Sequence, residues 1–190
     1  HHWKFSVNAL REGLGVSRFL LLNDFTALAL SLTLLPDSQK HQVGSGTAAA
    51  DAAIGLIGPG TGLGVSGLFP VGYQHKWIPI AGEGGHVSLS ATTEHEFSAI
   101  QQLQKRYGHV SAERVISGAG LVDLYHVLCD LKDGQGREIT TAAEVIERAQ
   151  EVPTSSANEA LDMFCGFLGS VAGDLALTLG ARGGIYIGGG

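Results

Sequence analysis

The sequence predicts an α/β layered domain built on a mixed sheet, on three observations. Short apolar runs bounded by glycines and polar residues alternate with longer segments whose apolar residues recur at helical spacing. Its 190 residues suffice for one well-buried domain, or for one domain and a piece of another. With 44% hydrophobic and 16% charged residues the chain is globular rather than disordered. Glycine is the outlier at 28 residues, about twice the usual share, which calls for many tight turns and close backbone contacts.

Taken in order, Phe19 to Leu22 is a short apolar run expected to form a strand. It ends at the polar tip Asn23-Asp24, after which Phe25, Leu28, Ala29 and Leu32 recur as on one face of a helix. Pro36 to Asp51 is loop-like and is the candidate boundary between lobes. Ile54 to Phe69 reads as two apolar strands joined by a loop in which Gly58, Gly60, Gly62 and Gly64 alternate with other residues. Trp77 to Ile80 is a further strand, and Val87 to Leu89 another after Gly82-Glu83-Gly84-Gly85-His86. Phe97, Ile100, Leu103 and Tyr107 mark an amphipathic helix. Ser111 is placed to cap a short helix through Val115, and Ser117 to cap one holding Leu121, Leu124, Tyr125 and Leu128. Thr141 with Glu144, and Ser156 with Glu159, match the capping box that starts a helix. The second of these runs to a glycine stop at Gly180, and Gly184 to Ile187 is a strand that leads into Gly188-Gly189-Gly190.

Bulk properties exclude several classes. With 12 basic and 18 acidic residues the formal charge is −6, and no Lys/Arg cluster exists to track a nucleic acid backbone. An anionic phosphate substrate must therefore be held by backbone amides or a metal ion. Cys129 and Cys165 lie far apart with no metal-ligand spacing, so reduced cytoplasmic thiols are expected, with neither a zinc site nor a disulfide framework. No stretch reaches the roughly 18 uncharged apolar residues of a membrane span, and no signal-peptide pattern opens the chain. Both ends look cut, which suggests the middle of a longer protein.

The glycine hairpin is the first candidate site. Lacking Cβ atoms, its backbone can adopt φ > 0 and approach a ligand closely, so that successive amides point at one anion. It lacks the Gly-Lys-Ser/Thr ending of a P-loop, and strand-like Val65 to Phe69 follows it instead of a helix. A hairpin phosphate clasp fits these features, although alone they describe a ligand-free turn equally well. Asp24 stands where a strand gives way to a helix, suited to a general base and equally to a helix cap. Glu83 and His86 offer a carboxylate and an imidazole on a loop with little bulk, a pair suited to sugar hydroxyls, against readings as a solvated acid and a core histidine. Glu113 alone reads as a first-turn helix acid, and His109 as structural.

In their order and wording, Asn23-Asp24-Phe25, the glycine hairpin, Gly82 to His86 and His109 to Gly120 closely resemble bacterial glucokinase of the hexokinase-like, actin-related superfamily. The resemblance covers nearly the whole chain. It implies a ribonuclease H-like, actin-like ATPase fold, with residues 1–36 ending a small α/β domain and 37–190 forming most of a large one. It further implies ATP-dependent phosphorylation of glucose at the 6-hydroxyl, with ATP and Mg2+ as cofactors, and a homodimer when full length. Asp24 would be the base, and Asn23, Glu83, His86 and Glu113 would bind glucose. Gly60, Thr61 and Gly62 would hold nucleotide phosphates, and Gly188, Gly189 and Gly190 would lie along the adenosine. The family's N-terminal Asp-x-Gly-Gly-Thr loop and its C-terminal part are not among these residues, so the chain alone is expected to be a weak kinase or inactive. The histidine-cysteine zinc motif of related sugar kinases and repressors is also missing, which favours the zinc-free branch. A non-catalytic sugar sensor is the alternative. A dinucleotide-binding oxidoreductase is disfavoured, because no strand, Gly-x-Gly-x-x-Gly, helix and acidic residue follow one another.

Overall fold

A computed structural model of the chain describes residues 4–72, 76–132 and 138–189. Four strands form one mixed sheet: β1 (Ile54–Pro59), β2 (Leu63–Val71), β3 (Lys76–Ala81) and β4 (Ile185–Ile187), in the order β3-β2-β1-β4. β1 and β2 are antiparallel with Gly58 opposite Gly64, and β4 runs parallel to β1 with Leu56 opposite Tyr186. The parallel pair is closed by the helices between β2 and β4, as such a crossover requires.

The sheet is covered on both faces. The side-chain alternation of a strand sends Leu56 to one side and Ile57 to the other, and both are fully buried. Leu56 joins Leu68, Ala29 and Leu32 beneath α2 (Asp24–Ser31), whose Phe25 and Leu28 complete that smaller layer. Ile57 joins the main core, with Leu103 of α3 (Glu94–Tyr107), Val115 of α4 (Ala112–Val115), Leu124 of α5 (Gly118–Lys132), Val145 of α6 (Ala142–Glu151) and Phe167 of α7 (Ser156–Leu179). α1 (Val7–Gly13) contributes no buried residue. It was not foreseen from the sequence, and its signal is Ser6, whose side chain accepts from the Ala9 amide.

Three expectations are corrected. Residues 19–22 form no strand: no strand of the sheet pairs with them, and Leu20, Leu21 and Leu22 are exposed. Residues 87–89 make only a single bridge, Ser88 to Ser111, flanked by Leu89 N–H to Val110 O at 3.0 Å and Ala112 N–H to Val87 O at 2.9 Å. That ladder cannot lengthen, because α4 begins at Ala112 and turns the partner segment away. The last long helix is capped by Ser155, not Ser156, and Ser155 Oγ accepts from Asn158 N–H at 3.2 Å. Glu159 is thereby released from capping and pairs with His95 and Lys132, each at 2.6 Å. The Lys132 contact is an ion pair without the alignment of a hydrogen bond.

Ser117 caps as expected, its Oγ accepting from Gly120 N–H at 3.1 Å, whereas Ser111 stands at the N-cap of α4 without a side-chain capping bond. Thr141 and Glu144 close a capping box, as do Thr93 and Glu96, and α7 stops at Gly180 in the left-handed conformation at φ 58°. α7 is long and apolar enough by composition to cross a membrane, yet it carries Glu159, Asp162 and Asp174 and packs through Ala157, Ala160, Met163 and Phe167 into the core. Both cysteines are free.

Candidate active site

Five separate segments meet at the hairpin end of the sheet, where they line a cleft of about 360 Å³. Its walls include Asn23, Asp24 and Phe25 from the start of α2, Gly58 to Val65 of the hairpin except Pro59, Gly82 and Glu83 of the following loop, Glu113 of α4, and Gly189. Among the described residues, three carboxylates and no basic side chain line it.

Each wall is held for a local reason. Asn23 is the N-cap of α2, its Oδ1 accepting from Thr26 N–H at 3.1 Å, which leaves its amide N–H groups for a ligand. Asp24 is thus the first helical residue rather than the cap. Its Oδ1 accepts from Phe25 N–H at 2.9 Å, and Oδ2 has no protein donor among the described residues. The loop bearing Glu83 is pressed on β2 because Gly84 and Gly85 have no side chains. A methyl at Gly84 would come within 2.7 Å of Val65, and one at Gly85 would collide with the Leu63 backbone. Glu113, half-buried, reaches back across 50 positions of sequence to accept Leu63 N–H at 3.0 Å through Oε2. α4, which carries it, is anchored by Ala112 N–H to Val87 O and by the Arg114 guanidinium stacked 4.5 Å over the Tyr107 ring. Burial, reinforced by the Asp123 carboxylate beside it, pushes the Tyr107 phenol above its ordinary range.

The hairpin turn is tight: Gly60 N–H donates to Gly62 O at 2.8 Å, and Gly60 O accepts Gly118 N–H at 2.9 Å. The amides of Thr61 and Gly62 are left without a protein acceptor among the described residues. None of Gly58, Gly60, Gly62 and Gly64 uses the positive φ that a glycine can adopt. Their missing side chains serve close packing instead. Gly62 lies against the Glu113 carboxylate, Gly64 against the Phe25 ring, and Gly58 against both that ring and the Gly188 carbonyl. Positive φ appears in the closing glycines, at Gly189 with φ 125°, where a methyl would come within 2.8 Å of Pro59 O. Gly188 N–H is bonded to Ile57 O at 3.0 Å, so this tail runs alongside the hairpin base.

Of the residues singled out from sequence, the cleft therefore brings together Asn23, Asp24, Glu83, Glu113, Gly60, Thr61, Gly62 and Gly189. Gly188 stands next to it. His86 does not line it: it is exposed at the end of the turn Gly84–His86, its N–H bonded to Glu83 O at 3.0 Å. Gly190 lies outside the described residues. His109 bonds Ser88 Oγ at 2.9 Å, the structural part expected of it. Two participants were not anticipated, the Phe25 ring and the Leu63 amide. The signal for the first was a pair of glycines flanking the turn symmetrically, a space left empty for a bulky neighbour.

Known proteins similar to this chain point to one family. The profile of the glucokinase family matches residues 1–190. The chain is 52% identical over 189 residues to the glucokinase of Chromobacterium violaceum, covering 100% of this chain and 53% of that protein. It is 51% identical over 190 residues to the glucokinase of Aromatoleum aromaticum, covering 100% and 56%. The crystal structure of a glucokinase from an Antarctic psychrotroph superposes with a TM-score of 0.86 at 35% identity, over 98% of this chain and 57% of that one. The fold is accordingly the actin-like ATPase fold of that enzyme, in part, and the chain spans about half the length of the curated relatives it matches. Four dispersed motifs drawn to one cleft, a full-length profile match and a shared fold lead to one conclusion: this chain belongs to the glucokinase family.

Proposed function

We propose that the chain is the sugar- and phosphate-binding portion of an ATP-dependent glucokinase, which transfers the γ-phosphoryl group of ATP to the 6-hydroxyl of glucose. The observation that carries this reading is the convergence of Asn23, Asp24, Glu83 and Glu113 with the hairpin turn around one cleft. In the reaction, Asp24 Oδ2 accepts the proton of the 6-hydroxyl as that oxygen attacks the γ-phosphorus in line. The Thr61 and Gly62 amides face the transferring phosphates and offset the charge that develops on their oxygens. Asn23, Glu83 and Glu113 orient the sugar, and a carboxylate left unpaired by a missing or inverted hydroxyl disfavours other hexoses. His86 joins them on the resemblance alone. Gly188, Gly189 and Gly190 are assigned to the adenosine.

Magnesium fits this arrangement as a companion of the nucleotide. No cluster of three or more His, Cys, Asp or Glu side chains able to hold a metal occurs among the described residues. A Mg2+ ion is commonly bound through substrate phosphates, water and one or two carboxylates rather than an all-protein cage. When bound, it would neutralise phosphate charge that no basic side chain among the described residues of the cleft meets.

A cytoplasmic location, homodimer formation by the full-length protein, and a lobe boundary at residue 36 belong to the same proposal. Its test is calorimetry on the complete enzyme with glucose and a non-hydrolysable ATP analogue, beside a coupled assay of glucose 6-phosphate formation. Binding of both ligands with turnover is expected. Glucose binding without nucleotide binding would replace the kinase with a sugar sensor, and binding of neither would end the reading.

A further inference from the structure

Phe25 lies beside the proposed base and has no part in the chemistry just described. Its ring enters a notch in the hairpin formed by two glycines, Gly58 and Gly64, which face each other directly across β1 and β2 just below the turn. A methyl at Gly58 would stand 2.6 Å from the ring Cζ, and one at Gly64 would overlap the ring at Cγ, Cδ2 and Cε2. Glycine inside a strand is unfavourable by roughly 0.5–1 kcal/mol relative to alanine, so a matched pair needs a cause. Burial alone does not supply one. Phe25 is only half-buried, at the edge of the small layer made by Ala29, Leu32, Leu56 and Leu68, and a ring wanted for burial could rest on those side chains without stripping the hairpin.

We infer that Phe25 is a positioning residue: its ring, seated between Gly58 and Gly64, sets the distance from Asp24 to the phosphate-gripping turn. The inference rests on the proposed roles of Asp24 and of the turn. Asp24 and Phe25 are consecutive residues in the first turn of α2, so lifting the ring off the hairpin lifts the carboxylate with it. The two groups that must meet across the transferring phosphoryl are thereby registered through one aromatic contact. In-line transfer tolerates little error in that distance, because placement within about half an ångström separates productive from unproductive geometry.

Gly64 is the cleaner partner to alter, since Gly58 also touches the Gly188 carbonyl. In the complete enzyme, Gly64→Ala should lower kcat by about 100-fold and Phe25→Leu by about 10-fold, with the calorimetric Kd for glucose and its KM within about threefold of the parent. The double variant should regain at least roughly tenfold in kcat over Gly64→Ala, because the leucine vacates space that the methyl needs. An unchanged kcat in Phe25→Leu would overturn the inference, as would a double variant no better than Gly64→Ala. Should Gly64→Ala show no cooperative thermal transition, Phe25→Leu decides by itself: a kcat loss at constant glucose Kd supports the role, and parental kcat or a parallel loss of glucose affinity overturns it. Failure of the underlying reading is separately visible, since Asp24→Asn would then turn over normally whatever the Phe25 variants do.

Discussion

Asp24 and Glu113 are both exposed or half-exposed acids in the first turns of short helices, and neither is distinguishable by composition from a solvated carboxylate. What separates them is what each oxygen touches. Asp24 commits Oδ1 to the next amide and keeps Oδ2 for the cleft, whereas Glu113 commits Oε2 to Leu63 N–H in the hairpin. Asp24→Asn preserves shape and the Phe25 hydrogen bond but cannot take a proton. It should lower kcat of the complete enzyme by roughly 10²- to 10⁴-fold while glucose affinity changes little. A coupled assay beside calorimetry checks this, and near-normal turnover would remove Asp24 from the role. Glu113 should behave differently, because losing it strands the Leu63 amide as well as removing the proposed sugar contact. For Glu113→Ala the cost in folding stability should be about 1–3 kcal/mol, read from urea unfolding of this chain. A loss confined to glucose binding would show that the Leu63 bond contributes little.

Helix starts were among the more legible elements, and the misplaced cap of α7 is instructive. Ser155 and Ser156 each offer a hydroxyl, and Glu159 stands three residues beyond Ser156, so the box pattern selects the later serine. Tertiary contact reverses the choice: Glu159 is drawn to His95 of α3 and Lys132 of α5, and the cap moves back to Ser155. Ser155→Ala should therefore cost about 1 kcal/mol in urea unfolding. Ser156→Ala should stay within about 0.5 kcal/mol. The reverse order would restore the box. The same acids set the response to acid. Burial works to raise the carboxyls of Glu96 and Glu159, but hydrogen bonds from Thr92 and Thr93 to the first, and Lys132 with His95 beside the second, hold both below the ordinary value of 4.5. Backbone and side-chain bonds from Thr140 and Thr141 depress Glu144 likewise. Groups more acidic in the folded than in the unfolded chain stabilise the fold above the unfolded value and cease to do so as pH falls through the folded one. Thermal melts of this chain should be nearly flat from about pH 7 to 5 and fall progressively below the ordinary value of 4.5. A midpoint unchanged down to about pH 3 would contradict the assignment.

On the scale of the molecule, a four-stranded sheet with helices on both faces brings residues from 23 to 189 to one end. The matched relatives are about twice as long, and the Asp-x-Gly-Gly-Thr loop expected to help hold phosphate and magnesium is not among these residues. Turnover by the chain alone should accordingly be weak or undetectable in a coupled assay with glucose, ATP and Mg2+. Robust turnover would mean that the loop is dispensable. Residues 19–22 belong to the same scale. Their run Phe-Leu-Leu-Leu has the composition of a strand, but strand formation needs a hydrogen-bonding neighbour, and none of the four strands provides one.

The amino-acid order was enough to determine the helices that announce themselves by caps and apolar spacing, the glycine hairpin, and the family to which four dispersed motifs point. These are written in contiguous residues, where local sterics and hydrogen bonding act. The tertiary structure alone decided which polar groups share the cleft, that His86 stays off its wall, and that the hairpin glycines serve the approach of Phe25 and Glu113 rather than positive backbone angles. Such outcomes depend on contacts between segments tens of residues apart, whose geometry exists only once both faces of the sheet have been covered.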